Sequence, residues 1–251
     1  MKISFSIPAY NEEHRIARCL ESVQKEIIRA GMEDDAEIIV VNNASTDHTK
    51  EIASGFPGVK VVDETRKGLT FARQAGFSHS SGELVANVDS DTMVPPGWLD
   101  TAVREFGRDP GLVALSGPFT YFDISPISRF WVTCFYGIGY ATYAFNKHVL
   151  RAGAMLQGGN FIVRRDAMQK IGGFDTSIHF YGEDTDVARR LNEIGDVKWT
   201  FRLPIYASGR RLSHEGILKM GMRYALNYLW TTFAKKPWSE EYLDIRTDWR
   251  E

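Results

Sequence analysis

Along the first hundred positions, short apolar runs alternate with stretches of helical period. Ile3, Phe5 and Ile7 open the chain as a strand, and Ile16, Leu20, Val23 and Ile27 follow at helical spacing. Asn11 stands where it would cap that helix. Glu37 to Val41 reads as a second strand ending at Asn42-Asn43, after which Ser45 is placed to cap a helix with Asp47 in its first turn. Val59 to Val62 reads as a third strand, and Leu69, Ala72 and Phe77 mark the helix beyond it. Gly82 to Val88 reads as a buried strand that delivers Asp89-Ser90-Asp91 and stops before the breaker Pro95-Pro96-Gly97. Strand and helix in alternation predict an α/β fold, a parallel sheet with helices on both faces. Ligands bind such sheets outside the carboxyl ends of the strands. Pro8-Ala9-Tyr10-Asn11, Asn42-Asn43 and Asp89-Ser90-Asp91 are therefore expected to meet on one rim.

The second half is less regular. Leu112 to Ser116, Asn160 to Val163 and Lys198 to Phe201 read as strands, and helices are predicted over 165–171, 184–194 and 217–233. No repeat or linker interrupts the chain, so one domain is expected over 1–234, divided near residue 97, with a polar tail over 235–251. Phe130 to Asn146 carries no charge and is rich in aromatic residues. Three readings fit it: a span at the lower limit of length, a core or lid helix, and a helix lying at a membrane surface.

Composition narrows the class. With 43% hydrophobic and 25% charged residues, the chain has the profile of a soluble protein with a substantial core. A net charge of −2 gives no footprint for nucleic acid. Two cysteines in unlike contexts, Cys19 and Cys134, indicate neither a disulfide framework nor a zinc site, and point to a reducing, cytoplasmic setting. The first residues read as a strand rather than a signal peptide.

Several polar groups carry chemistry. Two carboxylates at a strand end, Asp89 and Asp91, suit Mg²⁺ or Mn²⁺ with phosphates completing the shell, although the triplet is equally a good turn sequence. No Gly-rich phosphate loop follows the first strand, which argues against dinucleotide and P-loop folds. A base pocket would then draw on Pro8, Ala9 and the amides of Asn42 and Asn43, unless the two asparagines only begin the next helix. Lys67, Gly68 and Arg73 lie on the third strand-helix connection, where a cation meets a diphosphate or simply faces solvent. In Glu183-Asp184-Thr185-Asp186, Asp184 falls on the apolar stripe of Val187, Ala188 and Leu191, whereas Asp186 falls with Arg189 and Arg190 on the polar side. Asp184 is thus a helix cap or a base aimed into a cleft. His214 is a structural histidine or a metal ligand that joins Asp91.

Taken together these segments resemble glycosyltransferase family 2, the inverting enzymes of the GT-A fold. The likeness runs from about Ser4 to Gly216 and rests on Ser6 to Glu12, Val40 to Asp47, Gly68-Leu69 with Ala72-Arg73 and Gly76, and Asp89-Ser90-Asp91. It continues through Gly158-Gly159-Asn160, Gly172 to Asp175 and Gly182 to Asp186 with Arg190-Leu191. The resemblance implies a Rossmann-like, mostly parallel sheet with a smaller acceptor-binding sub-region, residues 1–97 holding a nucleoside-diphosphate sugar and 98–234 the acceptor. It implies that Asp91 binds Mn²⁺ or Mg²⁺ through a DxD motif, with His214 as a second ligand. It also implies that Asp184, beside Glu183, is the catalytic base. Pro8, Ala9, Tyr10, Glu12, Asn42, Asn43, Lys67, Gly68, Arg73, Asp89, Ser90, Gly159 and Asn160 are the implied substrate contacts.

Two departures matter. Asn42-Asn43 replaces the usual acidic pair, and Arg66-Lys67 adds positive charge near the diphosphate. Transfer to a glycan or lipid-linked acceptor in cell-envelope synthesis is the expected function, at the inner face of a membrane if Phe130 to Phe145 makes peripheral contact. A sugar-1-phosphate nucleotidyltransferase and an inactive nucleotide-sugar-binding protein are the competing readings.

Overall fold

The computed structural model describes residues 1–147, 154–178, 182–216 and 220–222. Strand and helix alternate through the first half as β1 (Ile3–Ala9), α1 (Ile16–Ala30), β2 (Ala36–Asn42), α2 (Thr49–Ser54), β3 (Val59–Asp63), α3 (Leu69–His79) and β4 (Leu84–Val88). Then come β5 (Thr92–Met93), α4 (Trp98–Arg108), β6 (Leu112–Ser116), β7 (Phe119–Tyr121) and α5 (Pro126–Phe145). The remaining elements are β8 (Asn160–Arg164), α6 (Arg165–Lys170), α7 (Glu183–Asn192), β9 (Asp196–Trp199), β10 (Ile205–Ala207) and α8 (Arg210–Glu215).

Among the described residues, seven strands form one sheet in the order β3-β2-β1-β4-β8-β6-β9, and β5-β10-β7 form a second, small one. From β3 to β4 every pairing is parallel, as the alternation predicts. β8 then runs antiparallel to both β4 and β6, so the two halves of the sheet meet head to tail along β4 and β8.

β1 is buried on both sides, and its alternating polar residues have a reason. The apolar side (Ile3, Phe5, Ile7) packs with Leu20, Val23, Leu99 and Phe106 in the main core. Each such fully buried side chain contributes about 1.5–3 kcal/mol. On the other side, Ser6 lets α3 approach so closely that a Cβ at Gly76 would lie 2.0 Å from its Oγ. Ser4 accepts a hydrogen bond there from the Gly82 N–H (2.8 Å). Across the same core, the buried Glu26 of α1 accepts from the N–H groups of Gly97 (3.2 Å) and Leu99 (2.9 Å) and so starts α4.

Two expected helix caps are corrected. Asn11 adopts a positive φ (51°) and its Oδ1 accepts from the Thr46 N–H (2.8 Å), while α1 begins only at Ile16. Ser45 accepts from the Asn11 N–H (3.2 Å), and α2 begins only at Thr49, whose N–H donates to Asp47 (3.0 Å) just before the helix. The side chains that looked like local caps instead bind the two loops to each other.

The uncharged stretch is a helix. α5 starts at Pro126 with Ser125 capping the Ser128 N–H (3.1 Å). Val132 packs with Ile124, Leu212 and Met220, and Tyr136 stacks on Trp199. The opposite side carries Ile127, Phe130, Trp131, Ile138 and Phe145, each more than half exposed. Among the described residues no helix is long and apolar enough to cross a membrane. Of the helix expected over 217–233, residues 220–222 are helical; the rest, with Trp230, Phe233 and the 235–251 tail, lies outside the described residues.

Candidate active site

The rim predicted from the strand ends exists. After β4 the chain turns tightly: the Asp89 carbonyl accepts from the Thr92 N–H (3.1 Å) and hydroxyl (2.7 Å), and from the buried Cys19 thiol below (3.5 Å). Burial, then the nearby carboxylates of Asp91 and Asp89, raises that thiol far above its ordinary range, so Cys19 stays protonated and inert. Gly159 explains where the Asp89 side chain goes. It has φ +78°, and a Cβ on it would lie 2.0 Å from Asp89 Oδ2, so only glycine leaves the carboxylate its seat. Gly159 is thus a seat for Asp89, a packing role that the expected substrate contact did not include.

Arg73 is the first correction of consequence. The helix cation expected to meet a diphosphate is instead 1% exposed. Its guanidinium donates to Glu183 Oε1 (2.9 Å) and Asp89 Oδ1 (3.2 Å) and lies 5.4 Å from the Phe161 ring centroid. It therefore ties the strand-end triplet to the acidic start of α7. Burial, with the Asp184 charge alongside, pushes the Glu183 carboxyl well above the usual carboxylate range, against the pull of Arg73.

Helical spacing misjudged the acidic helix. Glu183 and Asp186 are the buried residues, Asp186 being paired with Arg190 (2.7 Å) and Arg189 (3.1 Å). Asp184 is half-buried, and its oxygens accept from the N–H groups of Gly158 (3.0 Å) and Thr185 (2.7 Å). The first turn of a helix has free N–H groups and crowded neighbours, so stripe periodicity carries little there. The outcome still separates the two acids: Glu183 is sealed behind Arg73, and Asp184 is the more accessible carboxylate.

At the other end of the triplet, Asp91 Oδ2 accepts from Arg210 Nη2 (2.8 Å), and the same nitrogen donates to the buried Glu12. Arg210 heads α8, just after Ser208 and Gly209, which both donate to the Asp123 carboxylate. His214, one turn further on, is exposed. Among the described residues no group of three or more His, Cys, Asp or Glu side chains gathers around one point. A cavity of about 180 Å³ opens beside Asp91, lined by His14, Arg15, Arg18 and Phe122 among others.

The first and third connections form the remaining wall. Lys67 Nζ donates to the Tyr10 hydroxyl (2.6 Å) and lies 4.0 Å from its ring centroid. Asn43 was expected to read a base, but its Nδ2 donates to the carbonyls of Glu64 (3.1 Å) and Arg66 (2.7 Å), and its Oδ1 accepts from the Gly68 N–H (2.8 Å). Every amide group of Asn43 is spent shaping the Lys67-Gly68 loop. Asn42 donates to Asp63 (2.8 Å) and accepts from the Ser45 N–H (3.3 Å). Arg66 is neutralised by Glu64 (2.7 Å), which leaves Lys67 as the cation of that pair facing the rim. Pro8, Ala9 and Ser90 are buried backbone of the rim.

Asn160 is also reassigned. It is fully buried, donates to the carbonyls of Leu203 (2.8 Å) and Gly117 (3.0 Å), and accepts from Trp98 Nε1 (3.1 Å). It is a tie between the two sheets rather than a substrate contact. Two residues escaped the sequence reading. Gly158 supplies the N–H that orients Asp184, and its place in a Gly-Gly-Asn run was the available signal. Arg210 had none, because nothing local distinguishes it from Arg211.

Asp91, partly exposed beside the cavity that it lines, offers carboxylate oxygen, the donor type that fits Mn²⁺ or Mg²⁺ with phosphate and water completing the shell.

A family model described as glycosyl transferase family 2 matches residues 4–172, and one described as the N-terminal domain of galactosyltransferase matches 142–206. Among curated proteins, the chain is 31% identical over 115 residues to a glycosyltransferase of Bacillus subtilis, covering 44% of this chain and 32% of that protein. It is 22% identical over 258 residues to a glucosyl-dolichyl phosphate glucuronosyltransferase of Haloferax volcanii, covering 98% of this chain and 78% of that protein. Among solved structures, a mannosyltransferase from Pyrobaculum calidifontis in complex with GDP-Man and Mn²⁺ aligns with a TM-score of 0.70 at 22% identity, over 93% of this chain and 63% of its own. A glucosyl-3-phosphoglycerate synthase from Mycobacterium tuberculosis, in complex with Mn²⁺ and UDP-glucose, aligns at 0.61 and 20% identity, over 93% and 79%. The chain thus spans about a third of the first relative's length and less than two thirds of the mannosyltransferase's. The shared architecture is the GT-A fold, a mostly parallel sheet flanked by helices.

Proposed function

The chain belongs to glycosyl transferase family 2, and from that premise we propose that it transfers a sugar from a nucleoside diphosphate to an acceptor hydroxyl with inversion at the anomeric carbon. The observation that carries the reading is the Arg73 bridge, which holds Asp89 of the Asp-Ser-Asp turn and Glu183, next to Asp184, on one rim.

Asp184 is the base. Its carboxylate is oriented by the Gly158 and Thr185 N–H groups and takes the proton from the acceptor hydroxyl. The acceptor oxygen attacks the anomeric carbon in line, opposite the departing diphosphate, so a single displacement inverts its configuration. Glu183, buried against Arg73, keeps that cation and Asp184 in place. Lys67, held at Tyr10, is the cation of the donor wall, and the Pro8-Ala9-Tyr10 backbone with the Asn43-shaped loop frames the nucleotide. A divalent metal at Asp91, when bound, supplies positive charge against the leaving diphosphate. Residues 1–97 thus carry the donor side and 98–234 the acceptor side.

The donor is a nucleotide sugar, in keeping with the GDP-Man and UDP-glucose bound by the two structural neighbours. The outward aromatic face of α5 supports a lipid-linked acceptor reached by peripheral contact at a membrane, and so a role in cell-envelope glycan or glycolipid synthesis. Co-sedimentation with liposomes that drops when Trp131 and Ile138 become serine supports that contact; equal sedimentation of the variant removes it.

Asp184→Asn is expected to lower transfer by roughly 10²–10⁴-fold while donor binding, followed by calorimetry, persists. Normal turnover would take Asp184 out of the base role.

A further inference from the structure

We propose that Arg210 is a positioning residue that makes divalent-metal binding at Asp91 conditional on the donor. The proposal rests on the metal reading of Asp91 given above.

The geometry is specific. One guanidinium nitrogen of Arg210 donates to Asp91 Oδ2 (2.8 Å) and to Glu12 together. The guanidinium is nearly buried, at 9% exposure, whereas Asp91 keeps 24% on the rim. The charge-assisted bond occupies one of the two Asp91 carboxylate oxygens, and it is strong because little water competes for it. A divalent ion brought to Asp91 alone would also stand against a fixed positive charge. A nucleoside diphosphate removes both obstacles, because its oxygens accept from the guanidinium and its charge separates the two cations. Arg210 therefore holds Asp91 closed in the free protein and transfers to the phosphates when metal and nucleotide arrive together.

The way α8 is attached suits such a movement. The helix is short, and besides Leu212 in a small apolar cluster it is tied by Ser208 and Gly209 to the exposed Asp123 carboxylate. Arg73, which neutralises the other end of the triplet, is enclosed by the main sheet and α7 and has no such path.

The test measures Mn²⁺ binding to the full chain by electron paramagnetic resonance, with no nucleotide and then with UDP or GDP. Wild type is expected to bind Mn²⁺ weakly alone and to gain affinity with nucleotide. Arg210→Gln is expected to bind Mn²⁺ alone about tenfold more tightly, roughly 1.4 kcal/mol, and to show a smaller gain from nucleotide. Arg210→Lys, which keeps the charge, stays near wild type. Asp123→Ala, which removes the tie to Ser208 and Gly209 but leaves Arg210, Asp91 and Glu12 in place, shifts in the same direction as Arg210→Gln by less, and guards against misfolding of the direct variant. A purely structural tie would lower the melting temperature of Arg210→Gln and leave its Mn²⁺ affinity at the wild-type value. That outcome, with Asp91→Asn abolishing binding, overturns the proposal and keeps the metal reading. If Asp91→Asn leaves Mn²⁺ binding unchanged, both fall.

Discussion

Arg73 and Arg210 each hold two carboxylates, one at either end of Asp89-Ser90-Asp91, but they sit in different parts of the molecule. Arg73 rises from α3 in the regular half and is closed in by the main sheet and by α7, with Phe161 under its guanidinium. Arg210 heads the short α8 in the irregular half, which is attached through Asp123 and through Leu212 in a small apolar cluster, and it reaches Asp91 and Glu12 from there. The same charge pairing is therefore enclosed by the main sheet on one side, and on the other it is the contact proposed to pass to the donor phosphates. A catalytic rim needs both, since it must keep its acids in place and still admit a charged ligand.

The strongest way to break this contrast is to remove each arginine in turn. Arg73→Met leaves the buried Glu183 without its cation and is expected to cost about 3–5 kcal/mol, with transfer lost. Arg210→Met is expected to cost less by denaturant titration, because Glu12 keeps Arg15 at 3.9 Å and Arg210 is less deeply buried than Arg73. Equal losses would erase the distinction. Gly159→Ala comes next, since it combines a positive φ with a clash on Asp89; a loss of about 1–3 kcal/mol is expected, and wild-type stability would show that the seat is softer than drawn.

A pH series sharpens the comparison further. Burial and the Asp184 charge raise the Glu183 carboxyl in the folded state. A raised group contributes its stability fully below its unfolded value and loses it as pH climbs through the folded one. Stability, followed by melting temperature, is thus expected to fall from mildly acidic pH through neutrality and then level off, at up to about 1.4 kcal/mol per pH unit, and Glu183→Gln should flatten that slope. A variant that follows the wild-type curve would show that the Arg73 site is electrostatically relaxed. Least affected should be Asp123→Asn, at about 1 kcal/mol in thermal unfolding, since it slackens only the Arg210 side.

Much of the frame was legible in the sequence because its signals are local. Strands such as Ile3 to Ala9 and Leu84 to Val88 end in polar residues beside turn breakers, and parallel β-α order then places those ends together. Asp89, Asp91, Glu183 and Asp184 could be nominated this way. What stayed hidden depends on contacts distant in sequence. Arg210 and Glu12 are 198 positions apart, and Arg73 and Glu183 are 110 apart. The small sheet of β5, β7 and β10 consists of strands of two or three residues, too short for any period to show. Asn43 and Asn160 were misassigned for a common reason: an amide satisfies a backbone turn as readily as it reads a ligand, and only geometry tells which.

The antiparallel seam has a consequence for how the chain is made. β4 finds its outer neighbour only in β8, whose residues follow it by more than seventy positions. Until Asn160 to Arg164 leave the ribosome, β4 presents an unpaired edge of Leu84, Val85 and Ala86 to its surroundings. Nascent chains stalled short of β8 are the ones that should need a chaperone, and those that include it should release themselves.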